Sequence, residues 1–97
     1  KEDWLVAFQS RLGRQEWLKP YTNEVLESLG NEKLSSLDVS CPGFAVDCLE
    51  TVDEIGHEGR AKFEAAGGGE LEYIPALNAS DLHVEALCEI LESECLN

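Results

Sequence analysis

The chain has 97 residues, a length that fits one domain or part of one. A hydrophobic content of 43% with two Trp is typical of a folded core rather than of a disordered segment. Seven basic residues against 20 acidic ones give a net charge of −13, which excludes the basic surface of a nucleic-acid-binding protein and favours cations as ligands.

The cysteines and the apolar runs restrict the cofactor and the compartment. Cys41, Cys48, Cys88 and Cys95 form no CxxC pair and have no histidine at ligand spacing, which argues against a zinc or iron–sulfur site. We expect no permanently bound cofactor. No signal peptide or membrane-spanning run is present, so we expect a cytoplasmic protein that is at most peripheral to a membrane. The chain contains no Met and opens on a strand-like stretch, which indicates a segment of a longer protein.

Three strand–helix pairs follow one another along the chain. Strands are predicted at residues 4–9, 34–41 and 71–77, and helices at 22–29, 44–66 and 81–95. Thr22 or Asn23 is expected to cap the first helix, and Ser80 or Asp81 the last. The βαβαβα order predicts an α/β fold with parallel strands and right-handed crossovers. Because ligands bind beyond the carboxyl ends of such strands, residues 10–20, 42–50 and 78–81 are expected to form one functional rim.

Acidic residues line one face of the predicted middle helix. At about 100° per residue, Asp47, Glu54 and Glu58 fall within about 40° of one another, and Glu50 lies roughly 80° from Glu58. The apolar residues on the opposite face, which we expect to contact the sheet, are Leu49, Val52, Ile55 and Phe63. No Lys or Arg lies four residues from Glu50 or Glu54 to relieve the repulsion. Both a solvated face and a face that holds a metal ion or protons fit this pattern.

Three blocks of the sequence resemble the ferrochelatase family, whose members insert ferrous iron into protoporphyrin IX. They are FQSRLG followed by WLKPYT (residues 8–13 and 17–22), CPGFAVDCLET followed by DEI (41–51 and 53–55), and YIPALN (73–78). Their order and spacing resemble the C-terminal third of the family's sequences over nearly the whole chain. The resemblance implies that residues 1–97 form one partial domain: a Rossmann-like half-lobe of a three-layer α/β sandwich, with the porphyrin cleft between two lobes.

The resemblance also implies roles for single residues. Glu50 matches the family's active-site glutamate, implicated in metal delivery or in removing protons from the pyrrole nitrogens, and Asp47 matches an acid that supports the site. The family carries a π-type irregularity in this helix, which aligns its acids. The residues implied to be catalytic are Glu50, Asp47 and Cys48, those implied to bind metal are Glu50, Glu54 and Glu58, and those implied to border the porphyrin are Ser10, Arg11, Trp17 and Phe44.

The chain departs from the family at two places. Many ferrochelatases have His where this chain has Cys48, so this residue is either a thiol beside Glu50 or a small buried side chain. The family's metal-contacting histidine, on an upstream strand, has no counterpart. We expect His57 to pair with Asp53, and His83 to be solvated, rather than to bind metal. Arg11 either meets a propionate of the substrate or belongs to an ordinary surface loop.

Three hypotheses on function follow from this resemblance. The first is the C-terminal segment of a ferrochelatase, which takes Fe²⁺ and protoporphyrin IX as substrates, makes protoheme for heme biosynthesis, and needs the missing N-terminal lobe for activity. The second is a non-catalytic binding module that kept the acidic helix. The third is a short chelatase-like protein that self-associates to rebuild a cleft.

Overall fold

The computed structural model describes residues 4–9, 16 and 18–94. Its elements in chain order are α1 (Thr22–Asn31), β1 (Ser36–Ser40), a π-helix (Leu49–Gly59), α2 (Arg60–Ala65), β2 (Glu70–Ile74) and α3 (Asp81–Glu94). The strands β1 and β2 pair in parallel, from Ser36 opposite Glu70 to Ser40 opposite Ile74. The predicted α/β class and its parallel sheet are confirmed.

The first predicted strand is not formed within the part of the chain that the structure describes. Phe8 makes only an isolated parallel bridge to Tyr21, in which its N–H donates to the Pro20 carbonyl at 2.9 Å. Trp4 is 70% exposed, because residues 4–7 have no neighbouring strand among the described residues to cover them. The three-layer βαβαβα sandwich is therefore present only in part.

The core lies between the helices and one face of the sheet. Leu26 of α1, Phe63 of α2 and Leu71 of β2 are buried together, with Leu37 and Val39 of β1 packed against them. Side chains alternate along the strands, so Asp38 and Glu72 lie on the opposite, exposed face. Burial of a side chain such as Phe63 contributes about 1.5–3 kcal/mol, and this small cluster holds α1, α2 and the sheet together.

The last helix lies largely outside this core. The structure gives α3 the predicted start at Asp81, and none of its described residues is buried. Its exposed apolar residues are Leu82, Val84, Leu87, Ile90 and Leu91. Within residues 4–9, 16 and 18–94, no helix combines the length and hydrophobicity needed to cross a bilayer.

The starts of the first two helices differ from the prediction. The residue before α1 is Tyr21, which caps the helix with no side-chain hydrogen bond, so the prediction of Thr22 or Asn23 as cap was wrong. The middle helix begins at Leu49 and not at residue 44, because Phe44 closes a turn onto the Cys41 carbonyl at 3.0 Å and Cys48 is extended. The Pro42-Gly43 turn thus ends β1 without entering a helix.

Candidate functional site at the carboxyl edge of the sheet

The loops that follow β1 and β2 meet at the carboxyl edge of the sheet. The Asp47 N–H donates to the Asn78 side-chain oxygen at 2.8 Å, and the Asn78 N–H donates to the Ala45 carbonyl at 2.9 Å. The N-terminal segment reaches the same edge, because Gln9 accepts a hydrogen bond from the Cys41 thiol at 3.3 Å. Of the predicted rim, residues 42–50 and 78–81 are therefore confirmed to meet.

Asp47 is held by four hydrogen-bond donors. Its carboxylate accepts the Tyr73 hydroxyl at 2.6 Å, the Asn78 amide and the Thr51 hydroxyl at 2.9 Å each, and the Ala76 N–H at 3.3 Å. These hydrogen bonds lower the pKa of Asp47 from 3.8 to about 2, and the bond from Tyr73 has the largest effect. A carboxylate so fully bonded stays ionised and serves as a fixed acceptor.

Gln9 contacts two of the acidic residues of the π-helix, Glu50 and Glu54. Its side-chain amide donates to the backbone carbonyl of Glu50 at 2.7 Å and to the Glu54 carboxylate at 3.3 Å. The Glu50 side chain is exposed at the first turn of the helix, whereas Glu54 is partly buried. Glu50 therefore has its backbone fixed and its carboxylate open to a ligand from beyond the sheet edge.

Glu54 and Glu58 line a cavity of about 390 Å³ between the π-helix and the start of α1. Glu24 of α1 and Lys62 of α2 contribute further charged side chains to its wall, and Phe8 and Tyr21 contribute aromatic ones. Glu50 is not part of this wall. Glu50, Glu54 and Glu58, which we call the acidic ladder, thus extend from the sheet edge at Glu50 to the cavity that Glu54 and Glu58 line.

The π-helix changes which side chains face the sheet. Ile55 and Phe63 are buried as predicted, but Leu49 is 78% and Val52 43% exposed, so the prediction was wrong for these two. The reason is that the prediction assumed α-helical spacing from residue 44, whereas the wider π turn begins at Leu49. The π geometry implied by the family resemblance is confirmed.

Cysteine and histidine side chains lie near several of the acids. Burial, then the charges of Glu54 and Asp47, raise the pKa of the Cys41 thiol, and Cys48 is partly buried before the π-helix. His57 pairs with Asp53 at 3.2 Å, as predicted. His83 was expected to be solvated, but it is partly buried and its Nδ1 contacts the Asn78 carbonyl.

The described residues contain no group of three or more His, Cys, Asp or Glu side chains that could hold a metal ion. Of the residues expected to border the porphyrin, Phe44 is partly buried in the loop after β1. Ser10, Arg11 and Trp17 lie outside the described residues.

Sequence reasoning missed three side chains that organise this edge: Gln9, Tyr73 and Asn78. Each belongs to a block that carries the family resemblance, but nothing in its spacing indicated its partner. Gln9 lies 41 residues from Glu50, and Asn78 lies 31 residues from Asp47. For Gln9 and Asn78 the only available signal was their position at predicted strand ends, where parallel strands bring loops together. Tyr73 lies within a predicted strand and offered no such signal.

Comparisons with known proteins show to which family the chain is similar. The family model described as Ferrochelatase matches residues 1–95. The chain is 56% identical over 89 residues to the ferrochelatase of Thioalkalivibrio sulfidiphilus, covering 92% of this chain and 24% of that protein. It is 49% identical over 92 residues to the ferrochelatase of Marinobacter nauticus, covering 95% of this chain and 25% of that protein.

The chain thus spans about a quarter of the length of the curated relatives that it matches. No solved structure matches it. The family match over nearly all residues, together with the π-helix that carries Glu50, Glu54 and Glu58, shows that this chain belongs to the ferrochelatase family.

Proposed function

We propose that this chain supplies the carboxylates with which a ferrochelatase inserts Fe²⁺ into protoporphyrin IX to make protoheme. Glu50 receives protons or metal at the porphyrin, and Glu54 and Glu58 form the route that leads to or from it. Phe44, Ser10, Arg11 and Trp17 border the macrocycle. The Fe²⁺ ion is a substrate in this scheme and not a resident cofactor.

The reaction needs groups that accept protons and bind a cation weakly. Insertion breaks two pyrrole N–H bonds, forms bonds from the porphyrin nitrogens to Fe²⁺, and releases two protons. A carboxylate beside the nitrogens accepts these protons one at a time as a general base and must give up the first before it takes the second. Carboxylate oxygens also suit divalent metals, and a relay of single carboxylates lets the metal leave again.

One observation carries the proposal: Glu50 opens the π-helix at the carboxyl edge of the sheet, and Glu54 and Glu58 continue from it into a cavity. Glu50 is exposed in the first turn of the helix that follows the loop after β1, and parallel sheets bind their ligands beyond the carboxyl ends of their strands. Asp47 supports this arrangement as an ionised acceptor of four donors and does not itself take a proton from the substrate.

Cys48 lies two residues before Glu50 in the sequence, and its backbone makes hydrogen bonds at the start of the π-helix. Its N–H donates to the Thr51 hydroxyl at 3.0 Å, and its carbonyl accepts the Val52 N–H at 2.9 Å. These bonds do not need the thiol. A proton-transferring thiol and a small side chain that fills space beside Glu50 are both part of the proposal, and Cys48→Ala turnover separates them.

The same proposal covers which part of an active enzyme this chain forms. That the chain is the C-terminal segment of a longer enzyme, and that it needs an N-terminal lobe, stay predictions. They rest on the missing counterpart of the family's upstream histidine and on the quarter of each relative that the chain spans. Accordingly, we expect the isolated 97 residues to have little or no metal-insertion activity.

The proposal is tested by comparing the complete gene product with the isolated chain. Each is mixed with protoporphyrin IX and either Fe²⁺ or Zn²⁺, and metalloporphyrin formation is followed by fluorescence while light scattering gives the oligomeric state. We expect turnover by the complete gene product alone. Robust turnover by a dimer of the isolated chain would favour the self-associating protein, and no turnover by the complete gene product would favour the binding module.

A further inference from the structure

Asn78 joins the two loops at the carboxyl edge through both ends of its side chain. Its Nδ2 donates to the Asp47 carboxylate at 2.9 Å and to the Ala76 carbonyl at 3.0 Å, while its Oδ1 accepts the Asp47 N–H at 2.8 Å. The orientation of the amide follows from these partners, since the N–H of Asp47 needs an acceptor and its carboxylate needs a donor.

The backbone of Asn78 fits the same task. Its φ of 54° is left-handed, a conformation that Asn adopts more readily than most other residues with a side chain. In this conformation its N–H reaches the Ala45 carbonyl at 2.9 Å while its amide faces Asp47. A single residue therefore ties the loop after β2 to two positions of the loop that leads into the π-helix.

From Asp47 the contacts continue into the first turn of the π-helix. The Asp47 carboxylate accepts the Thr51 hydroxyl at 2.9 Å, and the Thr51 oxygen accepts the Cys48 N–H at 3.0 Å. Thr51 is fully buried. Glu50 lies between Cys48 and Thr51 in the chain, so these bonds fix the backbone on either side of it.

We propose that Asn78 is a positioning residue for the Glu50 carboxylate, acting through Asp47 and Thr51. This inference rests on the proposed function, in which Glu50 meets the reacting porphyrin nitrogens. Within the described residues no side chain bonds the Glu50 carboxylate, so its place depends on the backbone of the first turn. The side-chain hydrogen bonds of Asn78 go to Asp47 and Ala76 and to none of Glu50, Glu54 and Glu58, so in this proposal it affects catalysis through the first turn of the π-helix.

The expected effect follows from the sensitivity of catalysis to placement. A shift of about 1 Å in a reacting group costs on the order of 100-fold in rate. Loosening the first turn of the π-helix should therefore lower kcat by roughly 10- to 100-fold and change the KM for the porphyrin much less. If Asn78 had only a structural role, its loss would instead lower the melting temperature and the amount of folded protein, without a selective effect on kcat over KM.

The test uses Asn78→Gly in the complete gene product. Glycine keeps the left-handed backbone and removes only the amide. Lys33→Gly is the matched control, because Lys33 is the other described residue with a side chain and a left-handed φ, at 61°, and lies after α1, outside the loops at the carboxyl edge. We expect lower kcat for Asn78→Gly with a melting temperature close to that of the control, which keeps wild-type kcat.

A double-mutant cycle with Glu50→Gln separates the two proposals. If Asn78 acts through Glu50, adding Asn78→Gly to Glu50→Gln causes no further loss of kcat. Full activity of Glu50→Gln would overturn the proposed function. A Glu50→Gln variant with strongly reduced but measurable kcat that loses the same further factor when Asn78→Gly is added would overturn the inference about Asn78 alone.

Asn78→Asp, which keeps the size and backbone preference of Asn, guards against a folding defect. It places a second carboxylate against Asp47, and we expect the same loss of kcat as for Asn78→Gly. If both variants are unfolded at the assay temperature, or if both keep wild-type kcat, the positioning role is refuted.

Discussion

Glu50→Gln in the complete gene product tests the centre of the proposed chemistry. The substitution removes the charge and the proton-accepting oxygen but keeps the length of the side chain. Because the Glu50 side chain is exposed and its carbonyl, not its carboxylate, accepts the Gln9 amide, the fold should be unaffected. We expect the free energy of unfolding to change by less than about 0.5 kcal/mol.

The expected effect on turnover is much larger. Loss of a general base lowers the rate by about 10²- to 10⁴-fold, which corresponds to about 2.7–5.4 kcal/mol of activation free energy. The assay measures kcat for zinc-porphyrin formation by fluorescence, with thermal unfolding recorded on the same samples. A Glu50→Gln enzyme with near-normal kcat would remove Glu50 from the mechanism.

Asp53→Asn is the matched control for this experiment. Asp53 lies on the same π-helix, is exposed, pairs with His57, and loses the same single charge on substitution. We expect this variant to keep wild-type turnover. A similar loss in both variants would mean that the net charge of the helix, and not the carboxylate at position 50, governs the rate.

The remaining predictions concern stability. Gly30→Ala should destabilise the complete gene product by about 1–3 kcal/mol in denaturant unfolding, because the new Cβ would lie 2.5 Å from the Phe63 carbonyl. Gly43→Ala is its control, with nothing within 4 Å of the new Cβ, and equal stability of the two variants would contradict the close packing. The pKa of Asp47 is lowered from 3.8 to about 2, so its stabilisation should be complete above pH 3.8 and lost as the pH falls through 2. The difference in melting temperature between wild type and Asp47→Asn should therefore disappear at low pH, and a difference that persists unchanged at pH 2 would refute this account.

Local patterns in the sequence predicted the elements that depend on local physics. The strand pair and the start of α3 at Asp81 lie close to their predicted places. The predicted end of the first helix at residue 29 is two residues early, because α1 includes Gly30 and Asn31 and the left-handed residue after it is Lys33, with φ 61°. The prediction of the first strand was wrong because an apolar run indicates that a segment is buried but does not identify the neighbouring strand that would cover it. Residues 4–7 read as a buried strand, yet the described chain offers them no partner.

The sequence predicted the acidic residues of the site but not the side chains that hydrogen-bond to them. Glu50, Glu54 and Glu58 are spaced four residues apart, and that spacing is visible in the sequence. Gln9 and Asn78 act across 41 and 31 residues, and no helical or strand period connects such positions. Contacts of this kind are decided by how the sheet brings loop ends together, which the local pattern does not contain.

The start of the π-helix divides the acids into two environments. Had an α-helix run from residue 44, Asp47 would lie on the same face as Glu54 and Glu58 and would share their surroundings. Because the helix begins at Leu49, Asp47 remains in the loop, where donors from Tyr73, Asn78 and Thr51 keep it ionised. Glu50 is left with an open carboxylate at the sheet edge. Carboxylates in unlike environments can take unlike tasks, and here the fixed acid sets the position of the one proposed to react.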